Sequence, residues 1–282
     1  MSNQKMDNTV LALRNTHLRD RNIKFFERGH RYEITTDPGK RYTSVTTLVH
    51  GQFPKFDADA VIAKIMKSKS WAPGHKYWGL SAEEIKAQWT SSGSAAASSG
   101  TNLHEQIETF MNDRRFNFAY THKELIQEYE LLQKYDHELD ARGVEWTMFI
   151  NFIRDHHYLK PYRTEWTIYH EDAKIAGSID MVYENPDGTL EIYDWKRCKE
   201  ITAVNGWNET ATNPLIKHLP ATNFWQYSLQ LNTYKKILEE KYGKRVTKLC
   251  LVRIHPDSSQ YELLNVPFLD KEVDDLFQER IV

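Results

Sequence analysis

Apolar and polar residues recur with strand or helix spacing along most of the chain. Residues 30–35 and 41–45 have strand composition and flank an Asp-Pro-Gly turn sequence at 37–39, so they predict a hairpin. Residues 57–69 carry apolar residues at helical spacing, which predicts an amphipathic helix. The lysines between them form either a solvated face or a patch that contacts phosphate: Lys64, Lys67 and Lys69.

Residues 91–100, SSGSAAASSG, are small and mostly polar. The Ser and Gly content is typical of a flexible linker, whereas three consecutive alanines favour helix. The sequence therefore leaves two alternatives, a linker or a packed segment of small residues. Thr101 is a suitable N-cap for a helix over residues 101–112, and one longer helix or two are predicted over residues 122–142.

After Pro161 the pattern changes to that of strands. A strong helix over residues 222–242 interrupts them, with Thr222 predicted as its N-cap and Gly243 as its stop. This order of elements predicts the α/β or α+β class. The predicted strands are residues 163–169, 174–183, 189–196, 249–254 and 261–266.

Composition excludes several classes of protein. The net charge of −2 excludes a uniformly basic coat, so contact with a polyanion would need a local patch. Two cysteines, Cys198 and Cys250, are too few for an iron–sulfur cluster or a disulfide framework. The polar N-terminus lacks a signal core, and no apolar run approaches the ~20 residues of a membrane span. We therefore expect a soluble intracellular protein that is not secreted and has no membrane partner; a bacterial or phage-infected cytoplasm, a viral factory, a nucleus or an organelle would all fit.

Acidic residues interrupt two apolar strands around the turn sequence Asn-Pro-Asp-Gly at 185–188. The turn predicts an antiparallel hairpin, and strand alternation places Asp194 and Lys196 on one face. Asp180 lies between apolar neighbours on the first strand. Two acids and a lysine in such strands are costly unless they are paired or bind a ligand. From these residues alone, a structural ion pair or an exposed edge remains the alternative to an active site.

Three further features point to chemistry, each with an ordinary structural alternative. His104 lies on a predicted helix beside acidic residues, and imidazole with carboxylates can complete a Mg²⁺ or Mn²⁺ site. Glu165 interrupts a hydrophobic strand and is either a site residue or a rim charge. Gln226, Gln230 and Tyr234 are spaced four apart on one helix stripe, which indicates contact with a polar partner or simply a polar flank.

Four motifs follow one another along the chain. They are G-T-x-x-H at 100–104, G-x-x-D at 177–180, D-x-K at 194–196 and Q-x-x-x-Y at 230–234. Together with Glu165, their order resembles that of the PD-(D/E)XK nuclease superfamily, RecB-like branch. The resemblance covers roughly residues 100–254. Residues 43–46 and the helices predicted after them more loosely resemble the N-terminal part of relatives that include the mitochondrial genome-maintenance exonuclease and phage nucleases.

The resemblance implies an α/β fold with a restriction-endonuclease-like core, in which helices flank a mixed central sheet. It implies a DNA-guiding region at residues 1–99, made of a hairpin and mainly of helices, and a nuclease core at 100–282. The implied activity is a Mg²⁺- or Mn²⁺-dependent DNA exonuclease of recombination, repair or genome processing, acting on single-stranded or duplex ends. A structure-specific or flap endonuclease and a non-catalytic DNA-binding scaffold are the alternatives; the intact acid and lysine set argues against the scaffold.

The resemblance also implies a role for each matched residue. Lys196 would hold the attacking water or stabilise the charged phosphate, and no iron–sulfur cluster is expected, because relatives with one carry four cysteines. The implied catalytic residues are Lys196, Asp180, Asp194, Glu165, Gln230 and Tyr234. The implied metal ligands are His104, Asp180, Asp194 and the backbone carbonyl of Trp195. The implied substrate-binding residues are Ser44, Thr46, Gln226, Gln230 and Tyr234.

Overall fold

A computed structural model describes residues 9–135, 143–206 and 208–281. Its helices are α1 (Val10–Arg14), α2 (Val45–His50), α3 (Ala58–Met66), α4 (Ala82–Met111), α5 (His122–Gln133), α6 (Val144–Asp155), α7 (Asn223–Lys241) and α8 (Asp270–Ile281). Its strands are β1 (Ile23–Phe26), β2 (Arg31–Ile34), β3 (Thr43–Ser44), β4 (Pro161–His170), β5 (Ile175–Glu184), β6 (Leu190–Lys196), β7 (Val246–Arg253) and β8 (Glu262–Asn265). Within these ranges, no helix is both long enough and apolar enough to cross a membrane.

The central sheet is mixed and has six strands. β4 pairs antiparallel with one edge of β5 along almost its whole length. On the other side of β5, β3 pairs in parallel with its first residues and β6 pairs antiparallel with its last ones. β7 then pairs in parallel with β6, and β8 pairs antiparallel with β7. β1 and β2 form a separate two-stranded sheet.

Helices cover both faces of this sheet. Along β7, Leu249 and Leu251 join one hydrophobic cluster, which includes residues of α2, α7 and α8. The alternate residues Cys250 and Val252 join a second cluster, with residues of α4, α5 and α6. Alternation along a strand sends successive side chains to opposite faces, so the architecture is helix, sheet, helix. This confirms the predicted α/β class with a mixed sheet flanked by helices.

The edge of β5 is open between β3 and β6. Pairing with β3 ends at Ala176, and pairing with β6 begins at Met181. Residues 177–180 therefore face a gap in the sheet on that side. This segment contains Asp180, one of the predicted site residues.

The hairpin predicted between residues 30–35 and 41–45 is wrong. β2 pairs with β1, and β3 pairs with β5, more than 130 residues later. The turn at 37–39 is present, but it separates strands of two different sheets. Local turn chemistry fixes where the chain bends, whereas the partner of each strand is decided by which apolar surface it can cover.

Residues 91–100 form neither a linker nor a packed segment. They belong to α4, a continuous helix of 30 residues with a capping box at Ser81 and Glu84. Residues 91–98 are all exposed, so helix propensity and continuity, not packing, support this stretch. Thr101 is an interior residue of α4, so its predicted role as an N-cap is wrong. The expected domain boundary at 99/100 falls inside α4, and β3 of the N-terminal region belongs to the central sheet.

The remaining predicted elements are present with shifts of a few residues at their ends. The hairpin of β5 and β6 closes through Asn185, whose N–H binds the Thr189 carbonyl, and Gly188 takes a φ of 81°. Thr222 stands at the N-cap of α7, but its side chain makes no cap hydrogen bond. α3 confirms the amphipathic helix with its lysines exposed. The last residues of the helix predicted at 122–142, from 136 to 142, lie outside the described residues.

Candidate functional site

Three side chains from three elements meet beside residues 177–180 of β5. His104 comes from α4, Glu165 from β4 and Asp180 from β5. One potential ligand atom of each lies within 4.8 Å of the others. His104 Nδ1 is 3.5 Å from Asp180 Oδ2 and 3.9 Å from Glu165 Oε1. One imidazole nitrogen and two carboxylates form a donor set that suits Mg²⁺ or Mn²⁺.

The backbone of Trp195 orients two of these side chains. Its N–H donates to Asp180 Oδ2 at 3.0 Å, and its carbonyl accepts from His104 Nε2 at 2.9 Å. Because a carbonyl only accepts, Nε2 carries the hydrogen and Nδ1 faces the carboxylates. Hydrogen bonds of this kind fix the tautomer and the ring orientation of a ligating histidine. The indole ring packs in the second hydrophobic cluster, as the strand alternation predicts.

Glu165 occupies an unusual backbone conformation. Its φ is 43°, a left-handed value that L-residues other than Asn and Asp rarely adopt. Ser178 donates to Glu165 Oε2 at 3.0 Å and holds the carboxylate in place. Residues in such conformations cost about 1–3 kcal/mol and occur often at functional sites. By position Glu165 belongs to the cluster, although its side chain is 31% exposed.

Asp194 and Lys196 form a buried ion pair beside the cluster. Lys196 Nζ is 2.6 Å from Asp194 Oδ2, and it lies 4.4 Å from the ring centroid of Tyr227. The Asp194 side chain is 2% exposed, and within the described chain its Oδ1 has no hydrogen-bond partner. A buried carboxylate oxygen without a donor is costly and is one that a cation would satisfy.

The charged groups of the site shift one another's pKa values. Burial would lower the pKa of His104, but the charges of Asp180 and Glu165 outweigh it and raise the pKa to about 9. Burial is the main cause that raises the pKa of Asp180. Burial and the charge of Asp180 together raise the pKa of Asp194 to about 6, against Lys196. For Lys196, burial is outweighed by the two aspartates, so its pKa lies above the usual value.

The cluster opens into a cavity of about 720 Å³. Ser44 and Thr46, at the start of α2, and the α7 residues Gln226, Gln230 and Tyr234 line it. Gln230 Nε2 donates to the Tyr234 hydroxyl at 3.1 Å, which fixes both side chains. Ser44 caps α2 through a hydrogen bond from the Thr47 N–H at 3.0 Å. The residues predicted for the site thus converge, with Asp194 and Trp195 buried beneath the cavity floor.

The hairpin of β1 and β2 forms the opposite wall of the cavity, and sequence reasoning did not include it. Phe25, His30 and Tyr32 line the cavity, and the ring of Phe25 lies 4.9 Å from that of Tyr32. Tyr227, which contacts Lys196, was also missed. The position of Tyr227 one turn before Gln230 is a signal that could have indicated it. Nothing in residues 23–34 indicates that they face a site 70 to 160 residues later.

Comparisons with known proteins identify no family for this chain. The chain matches no family model. It also matches no curated protein. Among solved structures it is similar to the crystal structure of SSO0001, with 19% identity and a TM-score of 0.22. That similarity covers 44% of this chain and 46% of the other, and it is too low to establish a common fold.

Proposed function

We propose that the protein is a Mg²⁺- or Mn²⁺-dependent deoxyribonuclease that hydrolyses phosphodiester bonds at DNA ends. The observation that supports this most is the convergence of His104, Glu165 and Asp180 on one cavity that also contains Lys196. The resemblance of the motifs to RecB-like nucleases supports an exonuclease and a setting in recombination, repair or genome processing.

The donor set fits a divalent cation. His104, Glu165 and Asp180 would hold it, and the unpartnered oxygen of Asp194 would add a further carboxylate nearby. When bound, such a cation supplies positive charge at the phosphate and activates water. His104 must lose its Nδ1 proton to serve as a ligand, so binding of the cation and of that proton compete.

Lys196 provides the second positive charge. Asp194 holds its ammonium group at 2.6 Å, and the face of Tyr227 limits its movement on the other side. A fixed ammonium group at the cavity wall can stabilise the charge that develops on the phosphate oxygens, or orient water for attack. The amide of Gln230, oriented by Tyr234, can contact the substrate backbone from α7.

The test is a nuclease assay on end-labelled single-stranded, duplex and flap DNA, with Mg²⁺, Mn²⁺ or EDTA. Wild type should degrade linear substrates only with a cation, and Lys196→Ala should lower the rate by about 10²–10³-fold. Lys199→Ala, which alters an exposed lysine three residues after Lys196, should leave the rate unchanged. Equal rates for wild type and Lys196→Ala would contradict the proposal.

Two outcomes would change the class of activity. Cleavage of covalently closed circular DNA would assign an endonuclease instead of a strict exonuclease. Binding of DNA without cleavage under any cation would assign a non-catalytic scaffold.

A further inference from the structure

Six aromatic rings contact one another in series between residues 56 and 89. The centroid distances are 5.9 Å for Phe56–Trp89, 6.0 Å for Trp89–Tyr77, 5.9 Å for Tyr77–His75, 5.2 Å for His75–Trp71 and 5.6 Å for Trp71–Trp78. We name this set of six residues the aromatic platform.

The outer rings of the aromatic platform are uncovered. Phe56 is 73% exposed and Trp78 is 46% exposed. In residues 54–90 the buried aliphatic side chains are those of Ile62 and Ile85. The inner rings therefore serve as the packing of this small region, whereas the outer rings remain available to a partner.

The region of the platform has a small excess of positive charge, although the whole chain has a net charge of −2. Residues 54–90 contain six lysines against four acidic residues. Lys55 directly precedes Phe56, and Lys76 lies between His75 and Tyr77 in the sequence. The ammonium group of Lys76 is 5.0 Å from the ring centroid of Tyr77. Exposed rings interleaved with lysines complement a single nucleic-acid strand, because every base has a π-face and every linkage a negative charge.

A continuous helix joins the platform to the candidate site. Trp89 and His104 both belong to α4. Their separation of 15 positions corresponds to about 22 Å along the helix axis, at a rise of 1.5 Å per residue. A second cavity, of about 1300 Å³, extends along α4 from Asp113 past His104 to Ala97 and includes Glu165. The open space at the site thus continues along the helix in the direction of the platform.

We propose that the aromatic platform binds single-stranded DNA whose end lies in the catalytic cavity, through stacking on Phe56 and Trp78. The inference rests on the proposed nuclease function for the identity of the strand. The axial separation of about 22 Å between His104 and Trp89, the platform residue on α4, corresponds to about six nucleotides at the 3.4 Å spacing of stacked bases. An oligonucleotide of about four nucleotides held at the site is then too short to reach the platform, and one of about fifteen reaches it.

The experiment measures binding of fluorescein-labelled oligothymidylates of ~4 and ~15 nucleotides by anisotropy in EDTA. Phe56→Ala and Trp78→Ala should each weaken binding of the longer strand by about fivefold or more. Binding of the short strand should be unchanged. Phe118→Ala is the matched control, since it removes a ring that is 85% exposed and lies outside the platform.

Two further variants test the phosphate contacts without altering the rings. Lys55→Gln and Lys76→Gln should each reduce the slope of log affinity against log salt by about 0.7 per lost contact. Trp78→Tyr should restore most of the affinity that Trp78→Ala loses. Circular dichroism of each variant verifies that the fold is intact.

Unchanged affinity of both ring variants for the longer strand would overturn the inference. So would ring variants that lose binding to phosphatidylserine vesicles, measured in parallel, but keep their binding of DNA. Binding in EDTA requires no catalysis, so the result is separate from the nuclease assay. Suppose that the ring variants lose affinity and the wild-type protein cuts no DNA: the platform proposal is then supported and the nuclease proposal rejected. Normal affinity of the ring variants, with a wild-type protein that does cut DNA, gives the opposite conclusion.

Discussion

The ring of Tyr234 passes directly over the backbone of Gly177. A Cβ atom at residue 177 would lie 2.7 Å from Tyr234 Cε1 and 2.9 Å from Val45 Cγ2. α7, α2 and β5 meet at this glycine, at the start of the open edge that contains Asp180. Close approach of these three elements therefore requires a residue without a side chain.

Gly177→Ala should destabilise the protein by about 1–3 kcal/mol, because the methyl group must displace the Tyr234 ring or Val45. It should also lower activity, since Tyr234 orients Gln230. Thermal unfolding measures the first effect and the nuclease assay the second. Gly93→Ala is the control: no atom lies within 4 Å of its new Cβ, and it should stabilise α4 by about 0.5–1 kcal/mol. A Gly177→Ala protein as stable as wild type would show that the contact yields easily.

Lys196→Met should destabilise the fold by about 3–5 kcal/mol, because it leaves the buried Asp194 carboxylate without its partner. The double variant Asp194→Asn, Lys196→Met removes both charges and should recover a large part of that loss. Denaturant unfolding of the two single variants and the double variant gives the coupling energy. Strict additivity of the two single effects would contradict a direct interaction.

Binding of Mg²⁺ or Mn²⁺ should raise the melting temperature. At a cation concentration one hundred times Kd, the free energy of unfolding should rise by about 2.7 kcal/mol. The raised pKa values of Asp180 and Asp194 set the pH dependence. A carboxyl group whose pKa is raised by folding contributes stability below its unfolded value, and the contribution is lost as pH rises through the folded pKa. In the ion-free protein the contribution of these two carboxyl groups to stability should therefore be smaller at pH 8 than at pH 5, and the effect of the cation should be larger at pH 8. Asp180→Asn should abolish the cation effect, whereas Asp172→Asn, at an exposed pair with Lys241, should retain it.

Glu165→Gln should weaken cation binding more than Asp194→Asn does. A carboxylate oxygen of Glu165 lies within 4.8 Å of ligand atoms of His104 and Asp180. The Asp194 carboxylate is already paired with Lys196. The RecB-like resemblance implies the opposite order, with Asp194 as the ligand. Isothermal titration of Mn²⁺ into both variants decides between these assignments.

His122→Gln should reduce the acid sensitivity of the fold. Burial lowers the pKa of His122 to about 3, so the folded protein holds the ring neutral beside the His156 carbonyl, 3.0 Å from Nδ1. In the unfolded chain His122 binds a proton near pH 6.5. The stabilising contribution of the neutral ring is therefore complete above that pH, and the free energy of unfolding falls by a few kcal/mol as the pH drops towards 3. Gln keeps a donor for the carbonyl and has no such titration. Denaturation midpoints at pH 7.5 and 4.5 test this, with the exposed His157→Gln as the control.

The sequence predicted the β5–β6 hairpin correctly because its determinants are local. The Asn-Pro-Asp-Gly turn sets the register, and alternation then sets which face Asp194 and Lys196 share. The order of the motifs predicted that His104 and Gln230 approach this hairpin. Both residues line the cavity.

Other features depend on distant partners and leave no local signal. β3 reads as the return strand of a hairpin, but its partner is β5. The positive φ of Glu165 has no sequence signature. Residues 91–98 have no apolar stripe that would predict a helix. The buried residues of α4 lie near its two ends, so the sequence pattern indicates helix there and not in the middle.

The continuous α4 helix also fixes the rotation of the aromatic platform relative to the candidate metal cluster. An α-helix turns about 100° per residue, so one residue inserted within the exposed stretch 91–98 would swing Trp89 about a third of a turn away from the side that carries His104. Seven inserted residues would lengthen the helix by about 10 Å and restore the facing to within about 20°. Strand recognition through both regions should therefore vary with the helical period of the insertion, and not simply with its length.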